Sequence, residues 1–303
     1  MVKKKIQDNN KTRHGFERAQ KEHRIPFHYA NLLNIAAVAA VVVAAGATIY
    51  FANPMPKPDC ITGGGKRGFS IQSECYATDI KKLDLHGLDL SSLAQIRGLT
   101  NLRKLYIYNT GITDLSPIGG LKNLTRLEAN NTNITDLTPV SGLKYLKILY
   151  VGHTSITDLS PISGLSGLIY LTVHNTKVTD LAPIKGLNNL VLLTVNSTNV
   201  TDFTQIGGLK KLEVLNLANT NLTDLTLISG LPKLRMLNIA NTNVTDLTPI
   251  RSLTNLTWLK IDNPNIIDLS PIMGLPNLKE LDFNGSQYSG QAGIQTAINK
   301  VAK

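Results

Sequence analysis

The sequence predicts an α/β solenoid of parallel strands, preceded by a membrane-spanning helix. Three observations predict it. A 22-residue period runs through the C-terminal two-thirds of the 303-residue chain. An uncharged apolar run occupies residues 32–52. Only two cysteines occur, Cys60 and Cys75, both between that run and the first repeat. Charged residues at 17% and hydrophobic residues at 42% are ordinary for a folded chain.

The formal charge of +10 is unevenly spread: residues 1–31 hold eight Lys or Arg against Asp8, Glu17 and Glu22. A basic segment suits nucleic acid or anionic lipid. The apolar run directly after it decides for the membrane, with nucleic-acid binding the weaker alternative. Residues 32–52 read LLNIAAVAAVVVAAGATIYFA, with Asn34 and Thr48 the only polar members. About 20 such residues cross a bilayer as one helix, and His28, Tyr29, Tyr50 and Phe51 suit its interfaces. A cleaved signal peptide is the competing reading. The basic region and the apolar run are both long for one, and no Ala-x-Ala site stands out before Cys60. Because Lys3, Lys4, Lys5, Lys11, Arg13, Arg18, Lys21 and Arg24 all precede the span, residues 1–31 are expected in the cytoplasm. Everything after residue 52 is then expected outside.

Residues 53–79 form a linker and N-terminal cap. Two cysteines in a non-cytoplasmic segment favour a disulfide. A Cys60–Cys75 bridge would close a Gly-rich loop and contribute roughly 3 kcal/mol. Two free thiols are the alternative, and two cysteines do not complete a zinc site.

Residues 80–285 carry the repeat. Asp114, Asp136, Asp158, Asp180, Asp202, Asp224, Asp246 and Asp268 keep a spacing of 22, as do the leucines from Leu83 to Leu281. One unit reads LKNLTRLEANNTNITDLTPVSG from Leu121. This Leu-x-x-Leu-x-Leu signature and period define leucine-rich repeats. Leu127 and Ala129, two apart, point inward from a short strand, and Leu124 and Ile134 complete the buried set. Strands of successive coils pair in parallel on the concave face. Pro139 and its equivalents direct a tight turn or 3-10 segment on the convex side. The eight aspartates are read as caps of that turn's N–H groups, since catalysis needs one or two distinctive acids. Residues 286–303 are expected as a helical cap, with Ile294, Ala297, Ile298 and Val301 at helical spacing.

The units resemble the bacterial internalin-type leucine-rich repeats, through Leu121-Lys122-Asn123-Leu124 and Ile134-Thr135-Asp136-Leu137-Thr138-Pro139-Val140. The resemblance implies ligand binding outside the cytoplasm. Where that family usually has an inward Asn, this chain has Thr110, Thr132, Thr154, Thr176, Thr198, Thr220 and Thr242, ending in Pro264. Asn109, Asn131, Asn175, Asn219, Asn241 and Asn263 form the neighbouring, more exposed column. No LPxTG signal, immunoglobulin-like region or basic wall-binding repeat appears. A single-pass relative in a bacterial inner membrane is expected, with periplasmic or extracellular repeats.

The concave face should carry the site. The residues preceding the core leucines include Ile148, Tyr170, Leu192, Val214, Met236 and Trp258 on six consecutive strands. They are expected as an exposed apolar stripe of about 25 Å for a protein ligand. Tyr106, Tyr108 and Tyr150 cluster in the two adjoining columns. The competing reading has the apolar column pack against its own neighbours. No metal spacing, phosphate loop or nucleophile elbow occurs, so no catalytic residue, metal or cofactor is expected. Alternatives to a protein receptor are an envelope scaffold for peptidoglycan or glycan, and a secreted effector acting on a host protein.

Overall fold

The computed structural model describes residues 60–61, 67–72 and 74–301. The apolar run 32–52 and the basic segment before it lie outside those residues. Among the described residues, no helix is long and apolar enough to cross a membrane.

Strands β1 (Cys60–Ile61), β2 (Arg67–Ile71) and β3 (Glu74–Ala77) form a small antiparallel sheet in that order. Its register sets Cys60 opposite Gly68 and Cys75 opposite Ser70, on the two strands that flank β2. The expected Cys60–Cys75 bridge lies outside the described side chains. Ile71 joins the core of the adjoining repeats, and Tyr76 packs against it.

The large sheet has eleven strands. β4 (Lys82–Asp84), β5 (Lys104–Tyr106), β6 (Arg126–Glu128), β7 (Ile148–Tyr150) and β8 (Tyr170–Thr172) come first. β9 (Leu192–Thr194), β10 (Val214–Asn216), β11 (Met236–Asn238), β12 (Trp258–Ile261) and β13 (Glu280–Phe283) come next, each parallel to the last. The central leucines stand opposite one another in register, as Leu215 does to Leu193 and Leu237. The 22-residue spacing is therefore one strand step per coil, a leucine-rich-repeat solenoid. Each coil also buries a fixed set on its inner side; in one coil these are Leu124, Leu127, Ala129 and Ile134. A fully buried leucine contributes roughly 1.5–3 kcal/mol, and neighbouring coils share the cost of ordering.

The turns follow from the sequence. Short 3-10 segments such as Thr138–Val140 and Ser160–Ile162 fill the convex side. Proline fits their first turn, where its missing N–H has no ladder partner. From the Ser116–Ile118 segment onward, the aspartate ahead of each segment accepts a hydrogen bond from the backbone N–H two residues on, Asp136 from Thr138 and Asp246 from Thr248 at 2.7 Å. The eight aspartates are thus turn-forming groups, as expected. At Asp114, Asp158 and Asp224 the hydroxyl and backbone bonds from the residue two on hold the carboxyl below its ordinary pKa.

The Thr column also has a structural task. Each hydroxyl donates to the carbonyl three residues earlier in its own coil, Thr132 to Ala129 and Thr220 to Leu217. The adjoining column bends the chain: Asn109, Asn131, Asn175, Asn219 and Asn241 have φ between 51° and 57°. Asn tolerates that left-handed geometry better than most residues, which explains its recurrence. Asn263 departs from the exposed Asn column expected of it. It is buried, and its amide donates to the carbonyls of Thr242 and Val244 at 2.9 and 2.6 Å. Pro264 comes directly after it, and a residue before proline is pushed toward extended backbone. The amide turns inward and bonds carbonyls of the preceding coil, whereas each Thr hydroxyl bonds within its own coil.

β14 (Ser286–Ser289) pairs antiparallel with β13 and leads into α1 (Gly290–Val301). Ile294, Ala297 and Ile298 are buried in the core cluster and Val301 packs against it, closing the end of the coil stack.

Candidate functional site: the concave face

Alternation along each strand sends the central leucine into the core and its two flanking residues to the concave face. The parallel register stacks these flanking residues into columns, so the face is a lattice that the core leaves free to vary.

The column from Ile148 to Trp258 is in register, but it is not the exposed stripe that the sequence suggested. Leu192, Val214, Met236 and Trp258 are 0–3% exposed and form one cluster with Tyr150. Ile148 and Tyr170 are half-buried against it. Successive members stand about 4.8 Å apart and close on one another, the competing reading of the sequence. The result is a second apolar cluster, on the side of the sheet opposite the core. Two of the polar residues beside it, Thr172 and Thr194, are also buried.

The first four strands are different. Tyr106 lies between two cations, with Lys82 Nζ 5.0 Å and the Arg126 guanidinium 5.5 Å from its ring centre. Arg126 also faces Tyr150 at 5.6 Å and donates to the Glu128 carboxylate. Cations over tyrosine faces are attracted by the ring quadrupole. Tyr108 stacks on His86 with centroids 4.7 Å apart, and His86 is hydrogen-bonded to Asp84 at 2.6 Å. That bond and the histidine's charge hold the Asp84 carboxyl below its ordinary range, against the opposing effect of partial burial. Tyr106 and Tyr108 remain half-buried, while Lys82, Asp84 and His86 are exposed. Tyr150 is buried, and burial raises its hydroxyl pKa. The structure thus brings Tyr106 and Tyr150 together around Arg126, while Tyr108 stacks on His86 instead. Sequence reasoning did not single out Arg126, Lys82 or His86. The signal was present in the Lys-Leu-Asp and Arg-Leu-Glu triplets of β4 and β6.

Between the two halves lies a polar group whose bonds are not made. The His174 ring, buried, leans over Gly152; a Cβ there would fall 2.2 Å from it. Neither His174 nitrogen has a hydrogen-bond partner, nor do Thr194 Oγ1 and Asn196 Oδ1. Burial, with a smaller electrostatic effect of His153, lowers the His174 pKa to about 4; the two rings meet in a T-shaped pair with centroids 5.0 Å apart. The imidazole is therefore neutral at ordinary pH. Among the described residues, no group of three or more His, Cys, Asp or Glu could hold a metal ion.

Comparison with known proteins agrees with this architecture. A family model of two-copy leucine-rich repeats matches residues 122–164 and 210–252. The crystal structure of internalin C2 from Listeria monocytogenes is 27% identical, with a TM-score of 0.59. That match covers 63% of this chain and 87% of that one. A Listeria monocytogenes internalin designated inlF is 28% identical over 70% of this chain and 77% of its own, with a TM-score of 0.56. No curated protein matches by sequence.

Proposed function

From the premise that this chain carries leucine-rich repeats of the bacterial internalin type, we propose a membrane-anchored receptor or adaptor that binds a protein ligand on its concave face. Leucine-rich-repeat solenoids commonly bind proteins through such extended concave surfaces. Residues 32–52 serve as the anchor in this reading, residues 1–31 lie in the cytoplasm, and a Cys60–Cys75 disulfide braces the entry to the repeats outside it. The observation that carries the binding role is the lattice itself. Ten strands hold an invariant core leucine in register, while the flanking columns change chemistry from cationic and aromatic to apolar.

The ligand meets the face along Tyr106, Tyr108, Arg126 and Tyr170, with Ile148 beside them and the buried cluster of Tyr150, Leu192, Val214, Met236 and Trp258 beneath. Tyrosine and arginine are the residue types that most often dominate binding energy.

The test uses the full chain in detergent micelles as bait for envelope extracts. Beside it runs the Tyr106→Ala, Tyr170→Ala variant, with folding checked by circular dichroism. A partner held by the native bait and lost by the folded variant supports the concave-face reading. The same partner held by both places binding on another surface.

A further inference from the structure

Strands β4, β5 and β6 each repeat a triplet of a cation, the core leucine and a third residue. They read Lys82-Leu83-Asp84, Lys104-Leu105-Tyr106 and Arg126-Leu127-Glu128. Residues two apart on a strand share a face, so each cation stands beside the third residue of its own strand. On β4 the third residue is an acid, and Lys82 Nζ lies 3.4 Å from the Asp84 carboxylate. On β6, Arg126 pairs with Glu128 in the same way. Further along the face, Lys260 pairs with Asp262 at 3.1 Å.

β5 breaks the rule. Its third residue is Tyr106, so Lys104 has no acid of its own. The register sets Tyr106 between Asp84 and Glu128, and both of those carboxylates already pair with their own cations. Among the described residues, Lys104 is the one Lys or Arg of these concave columns without an ion pair. The residues just ahead of β4 and β5 add to the imbalance. Lys81 and Arg103 are exposed, as Lys104 is, and neither forms an ion pair within the described residues. Three uncompensated cations therefore gather at the starts of β4 and β5, and Lys104 shares its strand with a half-buried tyrosine whose ring is already flanked by Lys82 and Arg126.

We propose that this corner of the face receives an acidic segment of the partner protein, a carboxylate pairing with Lys104 while Tyr106 offers its ring and hydroxyl beside it. Lys81 and Arg103 extend the positive field and steer the segment in. The geometry favours a protein segment over a bilayer surface, because a concave sheet admits a convex chain and not a flat plane. The inference rests on the concave face being the ligand surface. It adds the sign and chemistry of what binds at its N-terminal corner.

The test measures a fluorescein-labelled octaglutamate peptide by anisotropy against the full chain in detergent micelles, at low and at physiological salt. The Arg103→Glu, Lys104→Glu variant is compared with Lys122→Glu, Lys185→Glu, which carries the same net charge change on the convex turns. The expected result is salt-dependent binding that the first pair weakens roughly tenfold or more and the second by no more than about twofold, since charge pairs act locally once salt screens them. Lys104→Arg should keep most of the affinity. Equal loss in both pairs would mean a diffuse charge effect and would overturn the site. So would the absence of peptide binding, or heparin bound through these residues while octaglutamate is not, which would identify a sulfated ligand instead. If the peptide fails while the Tyr106→Ala, Tyr170→Ala bait still loses a partner, the concave-face reading stands and only its acidic ligand falls.

Discussion

The two halves of the concave face use the same strand positions for opposite ends. On β4 to β6 the residue before the core leucine is Lys82, Lys104 or Arg126, and the chain beside it is a partly open network of cations, acids and tyrosine rings. On β9 to β12 the same position holds Leu192, Val214, Met236 or Trp258, and the side chains are out of water. The backbone is common to both, so the difference lies wholly in the side chains. Charged residues stay accessible, whereas apolar ones a strand apart close on their neighbours. The N-terminal half therefore keeps polar side chains within reach of solvent, and the C-terminal half adds a second buried cluster to the sheet.

The largest expected effect separates the halves by stability. Trp258→Ala removes the largest member of the buried cluster and should cost about 3–5 kcal/mol in urea unfolding. Lys104→Ala, on the open half, should stay within about 0.5 kcal/mol. Similar losses for the two would erase the distinction.

A pH series sharpens the comparison next. The folded His174 has a pKa near 4, below the ordinary histidine value. As pH falls from about 6.5 to 4 the unfolded chain takes up a proton that the folded chain refuses, so stability drops, by roughly 3 kcal/mol in all. Asp282 works in the other direction. Burial, with Asp262 adding and Lys260 opposing, raises its pKa to about 6. Between about 6 and 3.8 the folded chain binds the proton first, so stability rises as pH falls. The two contributions nearly cancel in the native protein between pH 6 and 4. Asp282→Asn should unmask the His174 loss, and its urea midpoint should fall steeply over that interval. A flat midpoint in the variant would show that His174 is not buried and neutral.

A smaller effect comes from the Gly152 contact. Gly152→Ala should destabilise by about 1–3 kcal/mol, because the new methyl meets the His174 ring. His174→Ala should restore most of the loss in the double variant. Additive losses would mean that the ring does not lie over Gly152. Smaller again, Lys82→Ala breaks an exposed pair with Asp84 and should change stability by less than about 1 kcal/mol.

Much of the fold was legible because a repeat tests each position many times over. Leu215, Thr220 and Asp224 recur with their functions: core, carbonyl bond and turn cap. The helical stripe of Ile294, Ala297 and Ile298 was equally plain. The burial of Trp258 was not, because a column gives direction but not how closely its members pack. Asn263 was misplaced although Pro264 carried the signal, since by spacing alone it is one more member of a series. Lys104 stands alone only by contrast with Lys82 and Arg126, whose pairing with their acids is a matter of side-chain geometry that spacing does not carry.

The most direct test of the divided face is the fluorescence of Trp258, the only tryptophan in the chain. The native full chain should give a blue-shifted emission, quenched little by acrylamide, that shifts red and becomes fully quenchable on unfolding. A native emission already red-shifted, and quenched as readily as in the unfolded chain, would place Trp258 in water and contradict the buried C-terminal cluster.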